Sequence, residues 1–170
     1  IMAMDYITYN MEITKVETEE EYQAEMQRIK DEQEAAQKEV IEVVNADLEI
    51  FKAGTSNLIK TTTEGLKYIM HDEGTGAQGE AGKLALVDYY GVFLDGEMFD
   101  NSYRSGRPFQ FTVGRQEAIS GWDLAIPLLK EGGNATIYVP YTLAYGEAGR
   151  PPVIPVKTDL VFHVALRTVK

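Results

Sequence analysis

The chain contains no cysteine, only two histidines and no long run of apolar residues. The absence of cysteine excludes disulfides, thiolate metal sites and cysteine nucleophiles. With His71 and His163 as the only imidazoles, a Ser-His-Asp triad has few candidates. No segment approaches the roughly 18 apolar residues that a membrane-spanning helix requires, so the sequence predicts no membrane span.

Acidic residues outnumber basic ones by 27 to 16, which gives a net charge of −11. The imbalance is concentrated between Glu12 and Glu49, where 13 acidic residues accompany 4 basic ones. Because an acidic chain repels phosphate backbones, nucleic acid is not an expected partner. A run of this composition is typical of a solvated helix face.

Residues 17–54 have the pattern of a long amphipathic acidic helix. Thr18 followed by Glu21 forms a capping box at its start, and Gly54 is a stop signal. Between them the apolar stripe has helical spacing and is interrupted at Gln33. Residues 55–64 are predicted to be a linker.

An unbroken helix of about 35 residues would be about 50 Å long. A compact domain of about 105 residues has a diameter of roughly 35 Å, so such a helix would overhang it. Self-association through residues 17–54 would give a homodimer. It would cover the part of the apolar stripe that extends beyond the domain. The alternative is a kink near Gln33 or Asn45 that folds the helix back onto its own domain.

Residues 1–16 predict a short strand, because apolar side chains alternate at Ile7, Tyr9, Met11 and Ile13. The final strand of the chain has the same spacing: Leu160, Phe162, Val164 and Leu166. The first segment is therefore interpreted either as the last strand of a preceding related domain or as an ordinary edge strand. An exposed apolar strand would also invite pairing with another chain, a structural role in assembly.

From Gly65 to Lys170 the pattern changes to short strands separated by turn signals, which is typical of an antiparallel sheet. Asp95-Gly96 is a hairpin signal, and only Ile119 to about Ile126 is predicted helical, since Pro127 follows. The sequence thus predicts an α+β fold. In it a bent antiparallel sheet curls around a short helix, preceded by the long helix and the short N-terminal strand.

Neither a cofactor nor a metal is predicted. Residues 74–79 match the pattern G-x-G-x-x-G, but a strand follows them, whereas a dinucleotide needs a helix N-terminus there. His163 alternates to the opposite side of its strand from Phe162, and His71 ends another strand. Neither histidine is paired with a serine nucleophile at a recognisable spacing.

Aromatic residues are concentrated in one part of the chain. Twelve of the 17 lie between Tyr89 and Phe162. Such a density in a small sheet indicates a rigid apolar basin for a small, uncharged, ring-like group.

Several stretches of residues 65–170 match one family in order and spacing: 87–91 (VDYYG), 95–100 (DGEMFD), 107–111 (RPFQF), 114–122 (GRQEAISGW), 144–146 (AYG) and 160–162 (LVF). On these stretches the domain resembles an FKBP-type peptidyl-prolyl cis-trans isomerase. The resemblance implies a five- or six-stranded sheet bent around a short helix. It also implies isomerisation of X-Pro bonds in unfolded or nascent polypeptides, which assists folding.

The resemblance assigns site roles residue by residue. Trp122 would form the pocket floor, the Ile119 N–H and the Tyr145 hydroxyl would each bind a peptide carbonyl, and Asp100 would be a polar anchor at the rim. The catalytic set implied is Tyr89, Phe99, Asp100, Tyr145 and Phe162. The substrate-binding set implied is Phe109, Ala118, Ile119, Trp122, Val153 and Ile154, the last two in a flap over the pocket.

Four positions depart from the commonest family pattern. Ser105 stands where many members have an arginine, so Asp100 is either freer or paired with Arg104 or Arg107. Pro152 replaces a frequent glycine, Arg150 a frequent histidine, and Ala118 a valine. These changes bear on sequence preference and on the binding of macrolides of the FK506 class, which the resemblance adds as candidate ligands.

A second functional class is a chaperone or peptide-binding module with little or no isomerase activity, dimerised through the N-terminal helix. The order of a long helix before an isomerase domain resembles the macrophage infectivity potentiator group of bacteria. That resemblance implies the cell envelope or periplasm. The lack of cysteine is equally compatible with the cytoplasm.

Overall fold

The computed structural model describes residues 18–170, so the strand predicted within residues 1–16 lies outside the described residues. The elements in chain order are α1 Glu19–Ala53, β1 Lys60–Thr61, β2 Lys67–Asp72, β3 Leu84–Val92, β4 Met98–Asn101, β5 Phe109–Thr112, α2 Ser120–Ala125, a 3₁₀ turn Ile126–Leu128, β6 Asn134–Val139, a 3₁₀ turn Tyr141–Leu143 and β7 Leu160–Val169. A long helix, an antiparallel sheet and one short helix confirm the predicted α+β class.

The described residues divide into two compact units, one ending at Lys38 and the other comprising residues 39–170. In the described part of the first, the Glu21 N–H donates to Thr18 Oγ1 at 3.2 Å and the Thr18 hydroxyl donates to the Glu21 carboxylate at 3.2 Å. Arg28 pairs with Glu25 and Glu32 at 2.5 and 3.2 Å. These local bonds stabilise a helical segment that has no fully buried side chain between residues 18 and 38. The domain limits at residues 17–54 and 65–170 stay predictions.

The second unit is built on a seven-stranded antiparallel sheet, in which β1 has only two residues. Its order is β1-β2-β6-β7-β3-β4, and β5 pairs with β3. The register places Gly91 opposite Phe162 and Tyr89 opposite Val164. Because side chains alternate along each strand, one set of residues faces α2 and the other faces away from it.

The face turned away from α2 is covered by the second half of α1. Val44, Leu48 and Phe51 are buried there against the sheet. Their buried partners on the strands are Ile69, Tyr90, Val92 and Val161. This apolar contact fixes residues 39–53 of α1 on the outer face of the sheet, opposite the face that carries α2.

A polar cluster lies at this helix–sheet contact and includes both histidines, His163 buried and His71 partly exposed. His71 Nε2 lies 2.7 Å from an Asp47 carboxylate oxygen and 3.3 Å from Thr136 Oγ1, which in turn lies 3.1 Å from His163 Nδ1. The Asp47, Thr136 and His163 side chains are buried. Burial and then the neighbouring His71 lower the pKa of His163 to about 4, while Asp47 opposes the shift. His163 is therefore neutral near pH 7.

This cluster predicts a fold that loses stability in mild acid. The unfolded chain binds a proton at His163 near pH 6.5 and the folded chain only near pH 4, so stability falls as pH drops between those values. The expected loss is on the order of 3 kcal/mol. Urea unfolding from pH 7.5 to 4.5 would measure it.

The control is His163→Asn, whose side-chain oxygen can still accept a hydrogen bond from Thr136 without titrating. We expect its stability to fall less steeply with acid than that of the wild type. Parallel curves for the two proteins would show that His163 is not the responsible group.

Candidate active site

The inner face of the sheet and α2 enclose a cavity of about 640 Å³. Nine of the eleven site residues inferred from the sequence line it: Tyr89, Phe99, Asp100, Phe109, Ala118, Ile119, Trp122, Tyr145 and Phe162. The other two, Val153 and Ile154, line an adjoining cleft of about 360 Å³. Phe99, Asp100, Tyr145 and Arg150 belong to both spaces, so the cleft continues the cavity.

Five lining residues were absent from the predicted site: Gln116, Glu117, Ser120, Ala144 and Arg150. Three of them, Glu117, Ser120 and Ala144, adjoin predicted residues in the sequence, and Gln116 lies two residues before Ala118, so proximity to Ala118, Ile119 or Tyr145 was the available signal. Arg150 had been noted only as a departure from the family pattern.

Trp122 forms the floor of the cavity and is 4% exposed. Three rings meet it edge to face, with centroid distances of 5.1 Å for Tyr89, 5.5 Å for Phe109 and 5.5 Å for Phe162. Phe111, which the sequence reasoning did not include, supports it from the core at 5.8 Å. Edge-to-face pairs at these distances are favourable, so the floor and walls stabilise one another. Within the described residues the Trp122 Nε1–H has no hydrogen-bond partner.

Gly91 is required by the packing of the far wall. A Cβ at this position would lie 2.7 Å from Phe99 Cζ and 2.9 Å from Phe162 Cε1. The Phe99 and Phe162 rings pack at right angles, 5.4 Å apart, directly over this glycine. Gly91, the last residue of the stretch 87–91, thus permits the Phe99 and Phe162 rings to pack closely.

The rim holds a hydrogen-bonded pair of polar side chains. The Tyr89 hydroxyl donates to Asp100 at 2.6 Å, and the Asn101 N–H donates to the other Asp100 oxygen at 2.9 Å. Burial and then the Asp100 carboxylate raise the pKa of Tyr89, which keeps the phenol protonated. Within residues 18–170 Asp100 forms no ion pair with Arg104 or Arg107, so its main side-chain partner is a tyrosine.

Two hydrogen-bond donors belong to residues that line the cavity, Ile119 and Tyr145. Ile119 caps α2 with an extended backbone, its carbonyl accepts from the Trp122 N–H at 2.9 Å, and its own N–H has no partner among the described residues. Tyr145 is half-buried, and its hydroxyl oxygen accepts from Arg150 Nη1 at 3.5 Å. The Arg150 guanidinium also lies 5.7 Å from the Tyr145 ring centroid. Both donors are available to a carbonyl group in the cavity.

The described residues contain no cluster of three or more His, Asp or Glu side chains that could hold a metal ion. None of the helices within residues 18–170 combines the length and apolar content needed to cross a bilayer. His71 and His163 lie on the outer face of the sheet, under α1, where they have a structural role.

A cavity with an aromatic floor and aromatic walls, set between a short helix and a bent antiparallel sheet, defines a pocket for a cyclic, uncharged group, with donors placed for peptide carbonyls. The comparisons with known proteins agree with this geometry. Residues 76–167 match the profile of the FKBP-type peptidyl-prolyl cis-trans isomerase domain. The chain belongs to the FKBP-type peptidyl-prolyl cis-trans isomerase family.

Two curated bacterial relatives are similar over the same region. A probable FKBP-type peptidyl-prolyl cis-trans isomerase FkpA of Neisseria meningitidis is 41% identical over 108 residues, 64% of this chain and 39% of that relative. Peptidyl-prolyl cis-trans isomerase Mip of Coxiella burnetii is 38% identical over 112 residues, 66% of this chain and 48% of that relative. The chain thus spans less than half the length of either.

A solved structure extends the similarity beyond the isomerase domain. The crystal structure of FkpA from Escherichia coli superposes with a TM-score of 0.65 at 31% identity. The superposed region covers 91% of this chain and 74% of the FkpA chain.

The packing around Gly91 predicts the effect of a single methyl group. Gly91→Ala should force the Phe99 and Phe162 rings apart and destabilise the fold by about 1–3 kcal/mol. Urea unfolding followed by the fluorescence of Trp122, the single tryptophan, measures it. Gln110→Ala, at an exposed position of β5, is the control. An unchanged unfolding midpoint for Gly91→Ala would contradict the described wall packing.

Proposed function

We propose that this protein catalyses the cis-trans isomerisation of X-Pro peptide bonds in unfolded or nascent polypeptides. The observation that supports this most strongly is the Trp122 floor with Tyr89, Phe109 and Phe162 packed edge to face around it. A proline ring is apolar, uncharged and flat enough to lie on such a floor. Family membership supports the same activity.

The chemistry needs no nucleophile, because no covalent bond is broken. Amide resonance opposes rotation about the X-Pro bond by about 18–20 kcal/mol. In the twisted transition state that resonance is lost, so the carbonyl is less polar than in the planar amide. The aromatic floor and walls of the cavity favour the less polar state, which lowers the barrier.

Two donors would hold the substrate backbone while the amide twists. The Ile119 N–H and the Tyr145 hydroxyl each bind a peptide carbonyl, and the Tyr89–Asp100 pair keeps the rim polar and ordered. A barrier reduction of about 5–7 kcal/mol would accelerate isomerisation by roughly 10⁴- to 10⁵-fold. Val153 and Ile154 would contact the chain on either side of the proline from the adjoining cleft. Macrolides of the FK506 class would occupy the same cavity.

A chaperone function is the second candidate, and exposed apolar side chains favour it. Phe109 is 37% exposed in the cavity wall, Val153 is 52% exposed in the adjoining cleft, and Val156 is 63% exposed two residues after Ile154. These apolar side chains would retain an unfolded client after the proline has turned. A homodimer formed through residues 17–54 would present two such sets of side chains, and a dimer mass in light scattering of the full chain would support it. Similarity to the bacterial FkpA and Mip isomerases supports a place in the cell envelope.

Two substitutions separate catalysis from simple binding. Tyr145→Phe removes one hydrogen bond to the substrate and should lower kcat/KM about tenfold without unfolding the chain. Trp122→Ala removes the floor and should lower kcat/KM by more than a hundredfold. It should also reduce the free energy of unfolding. NMR exchange spectroscopy on an Ala-Leu-Pro-Phe peptide measures both rates.

Tyr141→Phe is the matched control, because Tyr141 is half-buried in the same loop but does not line the cavity. We expect it to be as active as the wild type. Full activity of Trp122→Ala would show that isomerisation occurs elsewhere.

A further inference from the structure

The loop between β5 and α2 carries several groups that line the cavity, including Glu117, Ala118 and the Ile119 N–H. It is fixed from the helix side by Asp123, which does not itself line the cavity. One Asp123 carboxylate oxygen accepts from the Gly114 N–H at 2.6 Å, and the other accepts from the Gln116 N–H at 3.2 Å. One half-buried carboxylate therefore holds two backbone positions of the loop.

These bonds hold a backbone conformation that the chain would not otherwise favour. Gln116 has φ of +58° and Gly114 has φ of +78°. A left-handed backbone is unfavourable for an L-residue such as glutamine, because its Cβ comes too close to the following carbonyl oxygen. Charge-assisted hydrogen bonds to a carboxylate are strong enough to offset that cost.

The loop has one more tie, from its other side. The Glu117 carboxylate accepts from the Thr112 N–H on β5 at 2.7 Å. Ile119, the residue that caps α2, follows Glu117 by two positions. Asp123 immediately follows Trp122, so the same helical turn carries the cavity floor and the carboxylate that sets the loop above it.

We propose that Asp123 is a positioning residue for the isomerase reaction. It fixes the loop 114–119 and so holds the Ile119 N–H at a constant distance from Trp122. There this N–H binds the substrate carbonyl while the X-Pro amide is twisted. This role rests on the proposed function. It assigns to Asp123 no contact with substrate, so its effect is expected on the turnover step and not on the fit of the proline ring.

The test is Asp123→Ala and Asp123→Asn in the full chain, with kcat and KM obtained separately by NMR line-shape analysis over a range of Ala-Leu-Pro-Phe concentrations. We expect kcat to fall at least tenfold in Asp123→Ala, with KM within about twofold of the wild type. Asp123→Asn keeps one acceptor oxygen, so its kcat should lie between those of the wild type and Asp123→Ala. Amide hydrogen exchange at Gly114 and Gln116 should accelerate in the same order.

Asp95→Ala is the matched control. Asp95 also accepts a loop N–H, from Glu97 at 2.9 Å, but it does not line the cavity. We expect its kcat to be unchanged. Should Asp123→Ala fail to fold, judged by Trp122 fluorescence, the Asp123→Asn result decides.

The outcomes are distinct. Faster exchange at Gly114 and Gln116 with kcat within twofold of the wild type would overturn the role of Asp123 and leave the isomerase function in place. Equal losses in Asp95→Ala and Asp123→Ala would also overturn it. A wild-type protein without activity on any prolyl peptide would instead overturn the proposed function, and with it the role of Asp123.

Discussion

The active cavity depends on the edge-to-face packing of three rings around Trp122. Each ring comes from a different strand: Tyr89 from β3, Phe109 from β5 and Phe162 from β7. The contacts are possible only because the sheet bends around α2 and brings these strands to one helix. The same packing that stabilises the core thus leaves an apolar basin open to solvent on one side. Stability and binding share one set of side chains, and the absence of a Cβ at Gly91 leaves room for the Phe99 and Phe162 rings.

The two faces of the sheet have separate roles that alternate along each strand. Tyr89 and Phe162 face the cavity, whereas their neighbours Tyr90 and His163 face α1. The helix therefore protects the outer face of the strands whose inner face carries the site. The polar cluster at that contact contains His163, whose pKa is lowered by burial, whereas no histidine lines the cavity.

Local signals in the sequence were sufficient for the long helix and most strands, but not for β1, which lies at Lys60–Thr61 within the predicted linker. The Thr18 cap and the Gly54 stop predicted a helix that the structure places at Glu19–Ala53, and alternation predicted the strands. The family resemblance supplied the cavity residues, and the structure brings nine of them to one space and the remaining two to the adjoining cleft. Periodicity assigned His163 to the face opposite Phe162, but it could not show that α1 covers that face. Nor could it show that Asp123 reaches back to Gly114, because side-chain contacts across a loop with positive φ leave no periodic pattern.

The central claim is that an apolar aromatic cavity lowers the barrier by favouring the twisted amide, with no proton transferred in the rate-limiting step. The solvent isotope effect on kcat/KM for a prolyl tetrapeptide tests it most directly. Rotation without proton transfer predicts a ratio of rates in H₂O and D₂O of about 1, constant across neutral pH. A ratio above about 2 would indicate a general acid or base at work and would contradict the account.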